Sequence, residues 1–125
     1  MAYWTETGSS SANTAKTLTH AAESNAQHFV TDVTVSARGA DSGNDIRVEI
    51  RDASTAVWDV YFDAKRGVAV TEHFSSPIEI STGAAVNVVV AAGGAACIAT
   101  VNVAGYTKAP VSYTHLRAHE TGRNL

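Results

Sequence analysis

The chain has 125 residues, of which 45% are hydrophobic and 17% charged, and a net charge of −3. That length fits one domain with a buried core, and the acidic balance offers no footprint for nucleic acid or an anionic membrane. A single cysteine, Cys97, excludes an internal disulfide, and no apolar run approaches the roughly 18 residues of a membrane helix.

The opening MAYWTETGSSSANTAKT has neither a basic n-region nor an apolar h-region, so no secretory signal is expected. Residues 1–13 are expected to form a flexible lead-in, because GSSSAN offers little to bury. TAKTLTH (14–20) alternates weakly, and THAAESNAQ (19–27) reads as a loop or a single helical turn. HFVTDVTVSA (28–37) alternates well, with Phe29, Thr31, Val33 and Val35 expected on one face and Val30, Asp32, Thr34 and Ser36 on the other. RGADSGND (38–45) is a Gly/Asp turn.

DIRVEIRD (45–52) is the cleanest half-buried strand, with Ile46, Val48 and Ile50 alternating with Arg47, Glu49 and Arg51. AVWDVYF (56–62) places Val57, Asp59 and Tyr61 opposite Trp58, Val60 and Phe62, and is expected to be a central strand. DAKRG (63–67) turns into VAVTEHF (68–74), and SSPIEIS (75–81) is a separate short strand with Pro77 at its start, where a missing N–H is tolerated. STG (81–83) turns into AAVNVVVA (84–91). Gly93-Gly94 then forms a hairpin turn rather than a phosphate cradle, leading into ACIATVNVAGY (96–106). Cys97 lies in an apolar run and is expected to be a buried, inert thiol.

Seven to eight short strands at this spacing indicate an all-β fold, a single antiparallel β-sandwich over 14–109. Pattern alone leaves jelly-roll-like and immunoglobulin-like topologies open, although the Cys…Trp…Cys hallmark of immunoglobulin domains is absent.

After Tyr106 the strand grammar stops. VSYTHLRAHET, from Val111 to Thr121, resembles the in-frame translation of a transposon-derived sequencing-library adapter. Gly122, Arg123 and Asn124 fall where a sample index would follow, and Leu125 where flow-cell sequence resumes. Residues 110–125 are therefore expected to be a non-native tail. The source is expected to be a metagenomic library, and the genuine chain is expected to continue beyond Ala109. His115 and His119, with Glu120 adjacent, have the i,i+4 spacing of a helical metal pair, but nothing nearby supplies a third ligand. The first 110 residues carry 7 basic and 11 acidic side chains, a net of −4.

Three stretches carry a likeness over residues 14–106: TLTHAAESNAQHFVTDVTVSARGA, IRVEIRDASTAVWDVYF and SSPIEISTGAAVNVVVAAGGAACIATVNVAGY. Their order resembles that of a group of small tailed-bacteriophage and prophage proteins. The resemblance implies a small all-β virion-associated protein and transfers no site residues.

Each candidate for chemistry has an ordinary structural reading. Trp58 or Tyr61 would serve as an exposed anchor for a sugar or a partner, or simply pack in the core or between subunits. Asp41, Asn44 and Asp45 around Ser42-Gly43 resemble a fragment of a calcium loop, but the ligand order and the distal Glu are missing. His20, His28 and His73 lie on three segments, with no sequence sign that they converge. Asp59, Asp63, Glu72 and Glu79 supply carboxylates for a glycosidase pair, as any β protein of this size does. No nucleophile elbow is present.

The sequence thus points to a non-enzymatic structural or interaction protein of a phage particle, such as a head decoration, head fibre or tail accessory subunit. It would be made in the host bacterial cytoplasm and reside in the virion. Its expected partners are other virion proteins or copies of itself in a homo-oligomer, with neither nucleic acid nor membrane. No catalytic residue, metal or cofactor is assigned. The alternative is a carbohydrate-binding β-sandwich on a phage or bacterial surface, with a surface glycan as partner.

Overall fold

Short runs of Val, Ile, Thr and aromatic residues, broken by Gly, Asn and Asp about every ten residues, can bury one face only by pairing edge to edge. The computed structural model describes residues 1–40, 43–66 and 69–109. Among them are eight strands: β1 (Ala2–Ser9), β2 (Lys16–His20), β3 (Gln27–Arg38), β4 (Asp45–Asp52), β5 (Thr55–Asp63), β6 (Val70–Glu79), β7 (Val86–Val90) and β8 (Ile98–Lys108). A short 3-10 turn, Ala64–Arg66, follows β5.

The pairing follows one rule. Strand β1 pairs with β8, β2 with β7, β3 with β6 and β4 with β5, all antiparallel. The chain is one long ribbon of paired strands. Contacts of β3 with β8 and of β4 with β7 roll that ribbon into two sheets, ordered β1-β8-β3-β6 and β2-β7-β4-β5. That is the strand order of an eight-stranded jelly roll, which resolves the topology left open by the sequence.

The core lies between the sheets. Ile46, Val48 and Ile50 of β4 meet Val86, Val88 and Val90 of β7 on one side, and Val30, Val33, Val35, Val101 and Val103 face them from the other. Each such side chain contributes about 1.5–3 kcal/mol by burial. Cys97 is buried among them.

Several expectations need correction. Residues 1–13 are not a lead-in. Strand β1 is fully paired to β8, from Ala2 opposite Thr107 to Ser9 opposite Thr100. The next residues stay tied to the start of β8, through Ser10 N donating to Ala99 O and Asn13 N to Cys97 O.

Gly93-Gly94 does not close a hairpin. Strands β7 and β8 belong to different sheets, so this loop carries the chain across the sandwich. Gly94 supplies a φ of +99° there.

Strand β5 is an edge rather than a central strand. Residues 70–79 form one strand and not two. Val30 pairs with Ile78 but Asp32 with His73, so residues 74–77 bow out of the ladder and Pro77 needs no partner for its missing N–H. That strand, β6, is also an edge.

Phe29 does not share a face with Val33 and Val35. A β-bulge at Thr31 adds one residue between Val30 and Asp32. The extra residue lets Val30, Val33 and Val35 all point inward.

Candidate functional site

The outward side chains of the first sheet fall into rows set by register. One row is Tyr3, Tyr106, Phe29 and Glu79 across β1, β8, β3 and β6. The next is Thr5, Ala104, Asp32 and His73, and after it Thr7, Asn102, Thr34 and Thr71. A last row is Ser9, Thr100 and Ser36. One end of the face is therefore aromatic and the rest is hydroxyl, amide and carboxylate.

The aromatic end is built as a stack. The Phe29 and Tyr106 rings lie 4.8 Å apart at 14°, and the Tyr3 ring meets Tyr106 edge-on at 6.0 Å and 65°. Lys108 Nζ sits 5.3 Å from the Phe29 ring centre. Phe29 is buried beneath its neighbours, whereas Tyr3 is 79% exposed.

The floor beside this stack is low because Ala104 carries only a methyl group. Gly105 is required. A Cβ there would collide with the Phe29 carbonyl oxygen and the Trp4 ring. Two depressions of about 420 and 460 Å³ lie along this floor and share Thr5, Asp32 and Ala104. A third, bounded by Phe29, Ser75, Pro77, Tyr106 and Lys108, adjoins the stack.

The polar groups are held in place. His73 Nδ1 lies 2.7 Å from Asp32 Oδ1. Hydrogen bonds from His73, and next from Thr31, hold the Asp32 carboxyl below its ordinary value, so it is ionised at neutral pH. Thr7 Oγ1 donates to Asn102 Oδ1 at 2.5 Å, which engages the amide oxygen.

Beneath β1, a second cluster joins the two sheets. Trp4 stacks on His20 of β2, and His20 meets His28 of β3 at 4.6 Å and 70°. His20 Nδ1 lies 2.8 Å from Glu6 Oε2, so this nitrogen carries the proton. His28 is fully buried, with Ala21 O 2.8 Å from Nε2 and Thr107 Oγ1 2.6 Å from Nδ1. A carbonyl only accepts, so Nε2 carries a proton and donates to Ala21 O. Among the described residues, Trp4 Nε1 and His20 Nε2 are buried without a hydrogen-bond partner.

The sequence candidates scatter. His20 and His28 converge, but His73 lies on the outer face with Asp32. Trp58 packs inward against Phe74 at 5.4 Å and 84°, while Tyr61 is 59% exposed on the outer face of the second sheet.

The four carboxylates do not form a pair. Asp59 binds Arg47 on the outside of the second sheet and Asp63 receives Lys65 N at the end of β5, while Glu72 stands opposite Val33 on β6 and Glu79 opposite Phe29 in the outer row of the first sheet. Asn44 donates to Gly93 O and ties down the crossover loop, and Asp45 opens β4. Asp41, Ser42, His115, His119 and Glu120 lie outside the described residues. Among the described residues no three His, Cys, Asp or Glu side chains gather as a metal set.

Sequence reading missed Tyr3, Thr5 and Thr7. Their alternation with Trp4, Glu6 and Gly8 was the available signal, masked by the Ser-rich stretch that follows. Compared with known proteins, the chain matches no family model and no curated protein.

Proposed function

We propose that this chain is a non-catalytic structural or interaction subunit of a bacteriophage particle, a head decoration, head fibre or tail accessory component that assembles with itself or with other virion proteins. The observation that carries the reading is where its exposed apolar side chains lie. Among the described residues, the large ones are Met1 and Tyr3 at β1 and Val57 and Tyr61 on β5. Strands β1 and β5 are the outer strands of different sheets.

Strand β1 lies over β2, and Trp58 of β5 touches Phe74 of β6, so the two patches occupy diagonally opposite corners of the sandwich. Two separated apolar edges suit a subunit that bridges neighbours, and open strand edges add unpaired backbone groups to such contacts. The likeness of residues 14–106 to small phage proteins supplies the biological setting.

Sedimentation across a concentration series tests this. The expected result is a concentration-dependent oligomer that Tyr61→Glu and Tyr3→Glu each weaken at least tenfold. A monomer at every concentration rules out self-assembly. Neighbouring genes on an extended contig test the phage assignment itself, and ordinary bacterial metabolic neighbours would remove it.

A further inference from the structure

We propose that the outer face of the first sheet is a binding site for an uncharged oligosaccharide, with the exposed Tyr3 ring, packed against Tyr106, as the stacking surface and Thr5, Asp32 and Asn102 as the hydrogen-bonding groups. The site shares Tyr3 with the apolar patch at β1, so the test follows oligomer size as well as sugar affinity.

A pyranose ring has two kinds of surface. Its axial C–H faces are apolar and pack on aromatic rings, and its equatorial hydroxyls form a ring of donors and acceptors. A site for it needs a flat aromatic group beside convergent polar groups on a shallow floor. The register of β1, β8 and β3 places these parts side by side. Tyr3 and Tyr106 form one row, and the next holds Thr5 and Asp32 on either side of Ala104. Asn102 follows one row further along, between Thr7 and Thr34.

From the aromatic row to the Asn102 row is about 13 Å along the strands. The trough is therefore longer than one ring, which favours a chain over a monosaccharide. Asp32 accepts two vicinal hydroxyls through a carboxylate that His73 already orients, at 2.7 Å. Asn102 keeps its amide N–H groups for a ligand acceptor, because Thr7 occupies its oxygen. An ionised carboxylate on the floor repels sugar acids, which selects the uncharged class.

The bulge at Thr31 and the glycine at 105 have a place in this arrangement. The bulge sets Asp32 rather than Thr31 beside Ala104, and Gly105 lets Trp4 and the Phe29 carbonyl approach beneath the trough.

Calorimetric titration of the full chain with maltohexaose, cellohexaose, chitohexaose and hexagalacturonate is the test. The expected result is binding of at least one of the three neutral chains and not of the uronate. Affinity falls at least tenfold in both Tyr3→Ala and Asp32→Asn, and stays within twofold in Thr55→Ala, at an exposed position on the opposite sheet. Tyr3 and Asp32 are exposed enough that these variants keep the fold, and an unchanged circular dichroism spectrum checks it. No binding of any neutral chain overturns the proposal. So does preference for the uronate, equal binding by both face variants, or a Tyr3→Ala effect on oligomer size without one on sugar affinity.

Discussion

Trp4 lies flat on His20, with 4.0 Å between ring centres and 10° between planes, and so fastens β1 of one sheet to β2 of the other. His20 is held by Glu6, two residues from Trp4 on the same strand, at 2.8 Å. Both rings nonetheless bury a nitrogen without a partner among the described residues. The stack therefore combines favourable ring packing with an uncompensated polar burial of about 1–3 kcal/mol per group.

Replacing Trp4 separates these contributions. Trp4→Ala is expected to cost about 3 kcal/mol, as removal of a large packed ring does. Trp4→Phe is expected to cost about 1 kcal/mol or less, because it discards the unpaired N–H together with part of the ring. Urea denaturation of both variants measures the difference. Both variants discard the indole N–H, so equal losses would mean that a ring packed on His20 contributes nothing.

Deleting residues 1–9 removes a complete edge strand. Eight cross-strand pairs with β8 and the Trp4 stack go together. The truncated chain is expected to lose at least about 3 kcal/mol and to aggregate through the bared edge of β8. Light scattering and a urea titration read both effects. A truncation as stable and soluble as the full chain would return β1 to the status of a lead-in.

Two glycines should respond differently to alanine. A Cβ at Gly105 would overlap the Phe29 carbonyl and the Trp4 ring, both in the sheet interior, whereas Gly83 has open space and only a φ of +80° to resist it. Gly105→Ala is expected to cost about 2–3 kcal/mol by overpacking, and Gly83→Ala about 1 kcal/mol by backbone strain. Thermal melts of the pair test the order, and the reverse order contradicts the bulge geometry.

Acid should weaken the fold through Glu49 and Asp32. Arg51 and Arg47 bracket Glu49 at 2.8 and 3.0 Å and hold its carboxyl below the ordinary 4.5. Hydrogen bonding by His73 and Thr31 holds Asp32 below 3.8. Each binds its proton less readily in the folded chain than in the unfolded one. The stability they contribute is complete above those ordinary values and is lost as pH falls through the lower folded ones. Denaturation midpoints from pH 6 down to pH 3 should show the fall, and Glu49→Gln should make it shallower. An unchanged slope would separate Glu49 from acid unfolding.

Much of the fold was legible in local pattern. Ile46, Val48 and Ile50 against Arg47, Glu49 and Arg51 announce a strand with one buried face, and the structure buries those three apolar residues completely. Period-two alternation is a property of adjacent residues, so it survives in the sequence. The opposite faces of Trp58 and Tyr61 and the burial of Cys97 were legible for the same reason.

Pairing and register are not local, and there the sequence was silent. Nothing near Tyr3 shows that it will lie beside Tyr106, more than a hundred residues away, or that Ala104 will separate Thr5 from Asp32. A single inserted residue at Thr31 reverses which face Phe29 takes, and only the ladder on both sides of β3 reveals it. Gly93-Gly94 has the composition of a hairpin turn, but its role as a crossover depends on which sheets its two strands join. Composition and alternation determined that this chain is an antiparallel β-sandwich. The partners of each strand decided the jelly roll, the aromatic row and the polar trough beside it, because backbone hydrogen bonds between distant segments set which side chains become neighbours.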